Sequence, residues 1–172
     1  MRTLLVITVC LLAQANVSAQ ELKIGYANVD YIFSKLPEVK RIESDLKVLQ
    51  TNLESRIETN YIDFQKKLAN YQSGYDQMAA QARADKEREL QTLQQSIEKL
   101  QKDAQASFQK KQAELIEPVY AQIDKAIRDI AIENQFSFIL NEQAGESDIV
   151  IYADEKLDIS NLVLKKLGVA KE

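Results

Sequence analysis

The chain has 172 residues, with 22 lysine and arginine side chains against 26 aspartate and glutamate side chains, so its formal net charge is −4. It contains no histidine and a single cysteine, Cys10. Imidazole ligands, histidine general bases and disulfides within the chain are therefore excluded, and a thiolate zinc site needs more cysteines. The negative charge also disfavours nucleic-acid binding.

The N-terminus is typical of a secretory signal peptide over residues 1–19. An apolar run from Leu4 to Ala13 leads to Val17-Ser18-Ala19, which supplies the small residues that a signal peptidase requires before its cut. The run is too short to span a bilayer. Cys10 lies inside it, directly after the β-branched Val9 and very close to the start of the chain, which argues against a lipoprotein attachment site. We therefore expect a soluble periplasmic or secreted protein whose mature chain begins at Gln20.

The first predicted elements of the mature chain are a strand and a long helix. Residues 22–29 predict the strand. Pro37 and Glu38 suit the first turn of a helix, because proline needs no hydrogen-bond partner there and the acid faces the positive helix end. Apolar residues then recur in steps of three and four from Val39 to Met78, which predicts a coiled-coil seam.

A second seam of the same kind runs from Leu90 to Ile130 without a glycine inside it, and it predicts a second long helix. Gly74 is the only glycine for a long distance on either side, so we expect the chain to reverse between residues 73 and 82. The two helices then pair antiparallel. Pro118 is expected to kink the second helix and to mark the base of the resulting arm.

These assignments divide the mature chain into a helical hairpin arm and a small body, which makes an α+β fold that is mostly α. The arm is expected to comprise residues 37–117 and to be about 60 Å long at about 1.5 Å per helical residue. The body comprises residues 20–36 and 118–172. Its other predicted elements are strands at Phe136 to Leu140 and Asp148 to Tyr152, and a short helix from Asp158 to Gly168.

Such a body is too small to stand easily alone. Three short strands bury little apolar surface and leave open sheet edges, so self-association is the expected remedy. The charge is also unevenly placed, because residues 36–117 are nearly neutral whereas residues from 118 onward carry 6 basic and 10 acidic side chains. The negative charge of the mature chain therefore belongs to the body.

No group of residues points to catalysis. The sequence has no glycine-rich phosphate loop, no serine with a histidine partner and no ligand cluster spaced for a transition metal. Acidic pairs such as Asp85 with Glu89 are interpreted as solvated charges, because Lys86 and Arg88 are interleaved with them. We expect no enzymatic activity, no cofactor and no metal.

Tyr71, Tyr75 and Met78 lie near the expected turn. Side chains in such a series more often pack within a seam, but near a turn the helices separate and can offer them to a partner as adaptable apolar contacts. The basic residues from 83 to 88 could likewise make transient contact with an anionic membrane surface or an acidic partner. Their acidic neighbours largely cancel that charge.

Taken together, these features resemble the Skp/OmpH family of periplasmic chaperones over essentially the whole mature chain. No single stretch is diagnostic, but their order is collectively specific. The matching stretches are Lys23 to Asp30, Leu36-Pro37-Glu38, Pro118-Val119-Tyr120, Lys125-Ala126-Ile127, Ala131 to Asn134, Phe136 to Asn141, Val150 to Asp154, Asp158-Ile159-Ser160, Val163, and Lys165 to Gly168.

The resemblance implies a homotrimer in which body strands of three chains form a shared β-barrel and three hairpins surround a cavity. It implies an ATP-independent holdase function, with unfolded outer-membrane β-barrel proteins as clients. Tyr71, Tyr75 and Met78 become candidate client-binding residues. The residues expected in the trimer body are Ile24, Tyr26, Val29, Phe138, Leu140, Val150 and Tyr152.

Two departures from the family limit this transfer. Gln135 stands where relatives often have glycine at a helix end, which suggests a different cap. The well-studied members are strongly basic, so neither their positive arm tips nor a lipopolysaccharide site is carried over to this acidic chain.

The main rival hypothesis is a periplasmic coiled-coil structural or adaptor protein. Adaptors of export systems also use helical hairpins, but they need sizeable β-domains on both flanks. Here the N-terminal flank is only residues 20–36. An enzyme is the third hypothesis, and it would need a cofactor that the residue inventory gives no means to bind.

Overall fold

Most of the chain folds into two long antiparallel helices, as predicted. The computed structural model describes residues 22–145 and 147–169, so the expected signal peptide lies outside the described residues. In chain order the elements are β1 (Ile24–Ala27), α1 (Val29–Lys35), α2 (Pro37–Gly74), α3 (Ala80–Glu133), β2 (Phe138–Asn141), β3 (Gln143–Ala144), β4 (Ser147–Asp148) and α4 (Ser160–Lys166), with short 3₁₀ turns at Tyr75–Gln77 and Glu155–Leu157.

The hairpin of α2 and α3 reverses within the predicted interval. Gly74 ends α2, and the 3₁₀ turn leads through Met78 to the start of α3 at Ala80. Met78 N–H donates to the carbonyl of Tyr75 at 3.3 Å. In the part of the chain that the structure describes, neither helix is apolar enough over a sufficient length to cross a membrane.

The arm is held together by a narrow seam. Near the start of α2 the seam residues Val39, Ile42 and Leu46 are buried, whereas those of α2 nearer the tip are half-buried or exposed. Two helices that pack along one stripe leave their other faces in water. On α3 the seam stays buried farther along the arm, as at Leu90, so only the α2 side of the seam loses burial toward the tip.

Pro118 does not end α3, which continues unbroken to Glu133. Proline gives up one backbone hydrogen bond in a helix interior, a loss that surrounding packing can offset. Such packing begins at Val119, the next residue, which is 3% exposed. The predicted kink at Pro118 stays a prediction.

The core of the body lies where α1 and α4 pack against the base of the hairpin. Its most deeply buried side chains come from four different elements or their ends, so they join distant parts of the chain. The buried cluster comprises Ala27, Ile32, Leu36, Val39, Ile42, Leu46, Val119, Ile123, Ala126, Ile130, Ile159, Val163 and Leu164.

The prediction that Val29 lies in the first strand is wrong. Asn28 ends the strand because its side-chain oxygen accepts a hydrogen bond from the backbone N–H of Tyr31 at 2.7 Å, which caps α1. Val29 is the first residue of that helix and packs against the core. A seven-residue helix therefore precedes the arm, where the sequence had suggested no separate element.

The predicted third strand at residues 148–152 is also wrong for the single chain. Only Ser147–Asp148 forms a strand, β4, and it pairs antiparallel with β3. Ile149 and Val150 N–H both donate to the carbonyl of Glu142. A strand needs a neighbour along its length, and within the described ranges the rest of this segment has none.

The end of α3 corrects the expectation about Gln135. Phe136 N–H donates to the carbonyl of Ala131 at 2.9 Å, and Gln135 N–H donates to that of Ile132 at 3.3 Å. This is the Schellman pattern that glycine usually completes. Gln135 itself has a φ of 57°, so glutamine adopts the left-handed conformation and the cap is the ordinary one.

We expect Gln135→Gly to raise the free energy of unfolding by about 0.5 to 1 kcal/mol, because glycine lacks the Cβ that makes the left-handed conformation costly. Urea unfolding at fixed protein concentration measures the change. Gln135→Ala is the matched control and should have little effect, since alanine keeps the Cβ. Equal stabilisation by both variants would contradict this account of the cap.

Candidate functional site

The first candidate surface is one face of the small sheet. β1 and β2 pair in parallel, with Ile24 opposite Phe138 and Tyr26 opposite Leu140. Side chains alternate between the two faces of a strand, so these four residues share one face. We call Ile24, Tyr26, Phe138 and Leu140 the sheet face.

The opposite side of the sheet packs onto the core. Ala27 is buried, and Gly25 lies so close to its neighbours that a Cβ there would come within 2.8 Å of the Phe136 ring. A residue with a side chain would push the strand away from the helices beneath it. The close packing on this side fixes which residues the sheet face presents outward.

The sheet face is apolar yet uncovered. Phe138 is 57% exposed, Leu140 45% and Ile24 40%, while Tyr26 is half-buried. Burial first, and then the carboxylate of Asp158, raises the pKa of the Tyr26 hydroxyl, so this side chain is neutral at physiological pH. Large apolar side chains grouped in this way mark an interaction surface.

The segment after β4 adds further apolar exposure to the body. Ile151 is 93% exposed and Tyr152 is 91% exposed, and Val150 is half-buried. Of the residues predicted to form the trimer body, all except Val29 lie on the sheet face or in this segment. Both places carry side chains that water solvates poorly.

A polar network that the sequence did not predict ties the ends of the sheet together. Asn28 Nδ2 donates to Glu142 Oε2 at 2.7 Å, and the Asn28 backbone N–H donates to Ser160 Oγ at 2.9 Å. Ser160 Oγ in turn donates to Asp158 Oδ1 at 2.5 Å, and Ser160 is 1% exposed. The network joins the end of β1, the end of β2 and the start of α4.

The second candidate surface is the tip of the arm, where the three predicted residues come together. The Tyr71 and Tyr75 rings meet edge to face, with centroids 5.5 Å apart. Met78 lies against Gly74, since a Cβ on that glycine would come within 2.8 Å of Met78 Cε. The tip therefore presents a small cluster of adaptable apolar side chains.

Contacts across the hairpin hold the tip cluster to α3. The Tyr71 hydroxyl donates a hydrogen bond to Glu87, which raises the pKa of Tyr71 to about 12. The guanidinium of Arg83 lies 4.8 Å from the Tyr75 ring centroid, a cation–π contact. These contacts involve both helices, so they keep the tip closed.

The charges below the tip compensate one another, as the sequence suggested. Lys67 Nζ lies 2.8 Å from Glu89 Oε1 across the hairpin, and Lys86 Nζ lies 2.8 Å from Glu89 Oε2. Arg88 pairs with Asp85 at 3.4 Å. No group of three or more potential metal ligands occurs in the part of the chain that the structure describes. The acidic pair Asp85 and Glu89 is thus engaged by cations of the protein itself.

The Glu89 carboxyl should titrate far below its usual range. Its hydrogen bonds with Lys67 and then Lys86 lower its pKa from 4.5 to about 2. Because a lowered pKa favours the folded state above the ordinary pKa, this contribution should disappear as the pH falls through about 2. We expect Lys67→Met to raise the Glu89 pKa part of the way toward 4.5.

A carboxyl-carbon NMR titration of Glu89 measures this shift. Lys99→Met removes the pair that Lys99 makes with Asp103, farther down the arm, and should leave Glu89 unchanged. The same Glu89 midpoint in the wild type and in Lys67→Met would show that the pair across the hairpin does not form in solution.

Comparison with known proteins adds three findings. The family model described as outer membrane protein (OmpH-like) matches residues 23–167. The chaperone protein Skp of Yersinia enterocolitica is 26% identical over 157 residues, which are 89% of this chain and 90% of that protein. A solved structure of a Caulobacter crescentus protein described as OmpH-like has a TM-score of 0.69 at 16% identity, covering 90% of this chain and 88% of the other.

Proposed function

Because the chain belongs to the OmpH-like family of outer membrane proteins, we propose that it is an ATP-independent chaperone that holds unfolded outer-membrane β-barrel proteins. The similarity to the Yersinia chaperone along nearly the whole length of both proteins supports a chaperone role. The observation that carries the proposal is the apolar sheet face left uncovered at the base of a long arm.

The uncovered sheet face supports assembly into a homotrimer. Three copies would bury Ile24, Phe138 and Leu140 within a shared β-barrel, whose closure removes sheet edges. The segment at residues 149–152 would then gain a strand partner from a second copy, which it lacks among the described residues of one chain. Removing this apolar surface from water supplies the driving force for association.

Three arms that extend from one barrel would surround a cavity. An unfolded client inside it would meet many weak apolar and polar contacts, and their combined avidity would exceed that of any one contact. Tyr71, Tyr75 and Met78 are candidate contacts at the tip. Release would need no chemical step. A weakly bound client dissociates by itself, and its assembly into the membrane then prevents it from binding again.

This function places the protein in the periplasm. Clients of this kind cross the periplasm unfolded, and the signal peptide expected at residues 1–19 would deliver the chaperone to the same compartment. Transient contact with the membrane surface would accompany delivery of the client. The nearly neutral arm favours apolar and polar contacts over a basic clamp.

The function can be tested by diluting a urea-unfolded outer-membrane β-barrel protein into buffer with the mature chain. Aggregation followed by light scattering should fall strongly at a threefold molar excess of chaperone, without ATP. Serum albumin at the same mass concentration controls for crowding. Unchanged aggregation in the presence of the mature chain would refute the holdase function.

A further inference from the structure

One flank of α3 is rich in glutamine. Between residues 91 and 113, ten side chains project within a sector of about 120° beside the seam, and seven of them are glutamine. All seven are exposed. We define the glutamine face as the six without a hydrogen-bond partner among the described residues, which are Gln91, Gln95, Gln101, Gln105, Gln109 and Gln112.

The other flank of the same helix is different. It carries the charges of Lys99, Asp103 and Lys110, as is usual beside a coiled-coil seam. The flank with the glutamine face carries only Glu98 and Lys102, which balance each other. Charged side chains would keep this flank soluble as well as amides do, so solubility alone does not explain the glutamines. It is uncharged and rich in hydrogen-bonding groups.

The amides of the glutamine face have free bonding capacity. Each glutamine side chain offers two N–H donors and a carbonyl acceptor. The seventh glutamine of this flank, Gln94, is left out of the glutamine face because it bonds to Glu98, as Gln50 bonds to Glu54 on α2. Among the described residues, the six side chains of the glutamine face bond to no other protein group. Their partners in the free protein are therefore water molecules.

The spacing of these amides fits an extended polypeptide. Gln101, Gln105 and Gln109 follow one another in steps of four residues, a rise of about 6 Å per step along the helix. Backbone groups on one edge of an extended chain recur every two residues, which is about 6.6 Å. Over the length of these three glutamines, an extended chain would thus meet a side-chain amide at about every repeat.

We infer that the glutamine face binds the backbone of an extended, unfolded polypeptide, with its side-chain amides pairing with N–H and C=O groups that are unpaired before folding. This inference rests on the proposed holdase function and names the chemistry of one client contact. Backbone groups are the same in every client, so such a surface recognises the unfolded state independently of sequence. The glutamine face would also occupy backbone N–H and C=O groups that could otherwise form hydrogen bonds between two client molecules.

The test compares two triple variants of the mature chain. Gln101→Ala/Gln105→Ala/Gln109→Ala removes the regularly spaced amides and, because alanine is a strong helix former, keeps α3 helical. The control, Thr92→Ala/Ser96→Ala/Ser107→Ala, removes three exposed polar side chains from the other flank. Circular dichroism verifies that both fold. Gln91→Ala/Gln95→Ala is a second variant of the face, should the first unfold.

The readout is the dissociation constant for a fluorescently labelled, urea-unfolded outer-membrane β-barrel protein after dilution. We expect it to rise about tenfold in the glutamine variant and to change less than twofold in the control. If the wild type binds the client and the glutamine variant has the same dissociation constant, the inference is overturned and the holdase function stays intact. A wild type that binds no client would refute the function itself.

A second measurement separates the backbone from other partners. A client-strand peptide methylated at alternate backbone nitrogens loses donors along one edge, so wild-type binding should weaken while the glutamine variant binds both peptides equally. An equal loss in both proteins would overturn the inference. A changed native mass with unchanged client affinity would assign the face to contacts between copies and would also overturn it.

Discussion

Replacing Phe138 with glutamate is expected to dissociate the protein into single chains and to abolish its suppression of client aggregation. Phe138 is 57% exposed in the single chain, so the substitution should change the stability of one subunit by no more than about 0.5 kcal/mol. In the proposed barrel the carboxylate would be buried without a partner, at a cost of several kcal/mol per chain. Multi-angle light scattering on the eluting protein measures the mass.

The matched control is Val48→Glu. Val48 is 58% exposed and lies on α2, away from the sheet. The Val48→Glu substitution introduces the same charge at nearly the same exposure as Phe138→Glu, and it should leave the native mass unchanged. If Phe138→Glu kept the wild-type mass, the sheet face would not be the assembly surface, and the shared barrel would have to be abandoned.

Truncating Ile32 to alanine is expected to lower the free energy of unfolding by about 3 kcal/mol. Ile32 is fully buried in α1, which packs against α3 and α4. The cavity would open in the core that joins the arm to the body, so the loss should affect both. Urea unfolding at fixed protein concentration measures it, because assembly makes the apparent stability depend on concentration.

Ile62→Ala serves for comparison because Ile62 is 42% exposed on the arm. It should cost less than about 1 kcal/mol, since fewer packing contacts are lost. Similar losses at the two positions would mean that the core of the body is not where the structure places it.

The arm could be predicted from the sequence because its interactions are local. A seam with steps of three and four fixes the buried stripe of each helix, and the absence of other glycines around Gly74 indicates where the chain turns. Pro37 begins α2 as predicted from its tolerance of the first helical turn. The tip residues were also placed correctly near the turn, although their role as client contacts stays a prediction.

The body was predicted less well because its form depends on contacts distant in sequence. The apolar residues 148–152 suit a strand, yet whether they form one depends on a neighbouring strand, which residues 22–145 and 147–169 do not supply. Asn28 offered a usable signal, since asparagine followed by Asp30 is typical of a helix start. The favourable strand propensity of the preceding residues obscured it.

Gln135 shows another limit of inference from residue types. Glycine is preferred at this cap position because it adopts a positive φ without strain, but other residues can adopt it when surrounding contacts compensate. Phe136, which packs against the core, holds the chain in place immediately after the turn. Glutamine therefore occupies the position while the backbone takes the form of helix end that glycine usually completes.

If three arms enclose one unfolded client, the native mass of the complex will show three copies of the chain for each client. The mature chain, mixed with one urea-unfolded outer-membrane β-barrel protein and diluted, is analysed by native mass spectrometry. We expect a mass equal to three copies of the chain and one client molecule. A complex containing a single copy of the chain would contradict it, because one hairpin encloses no cavity.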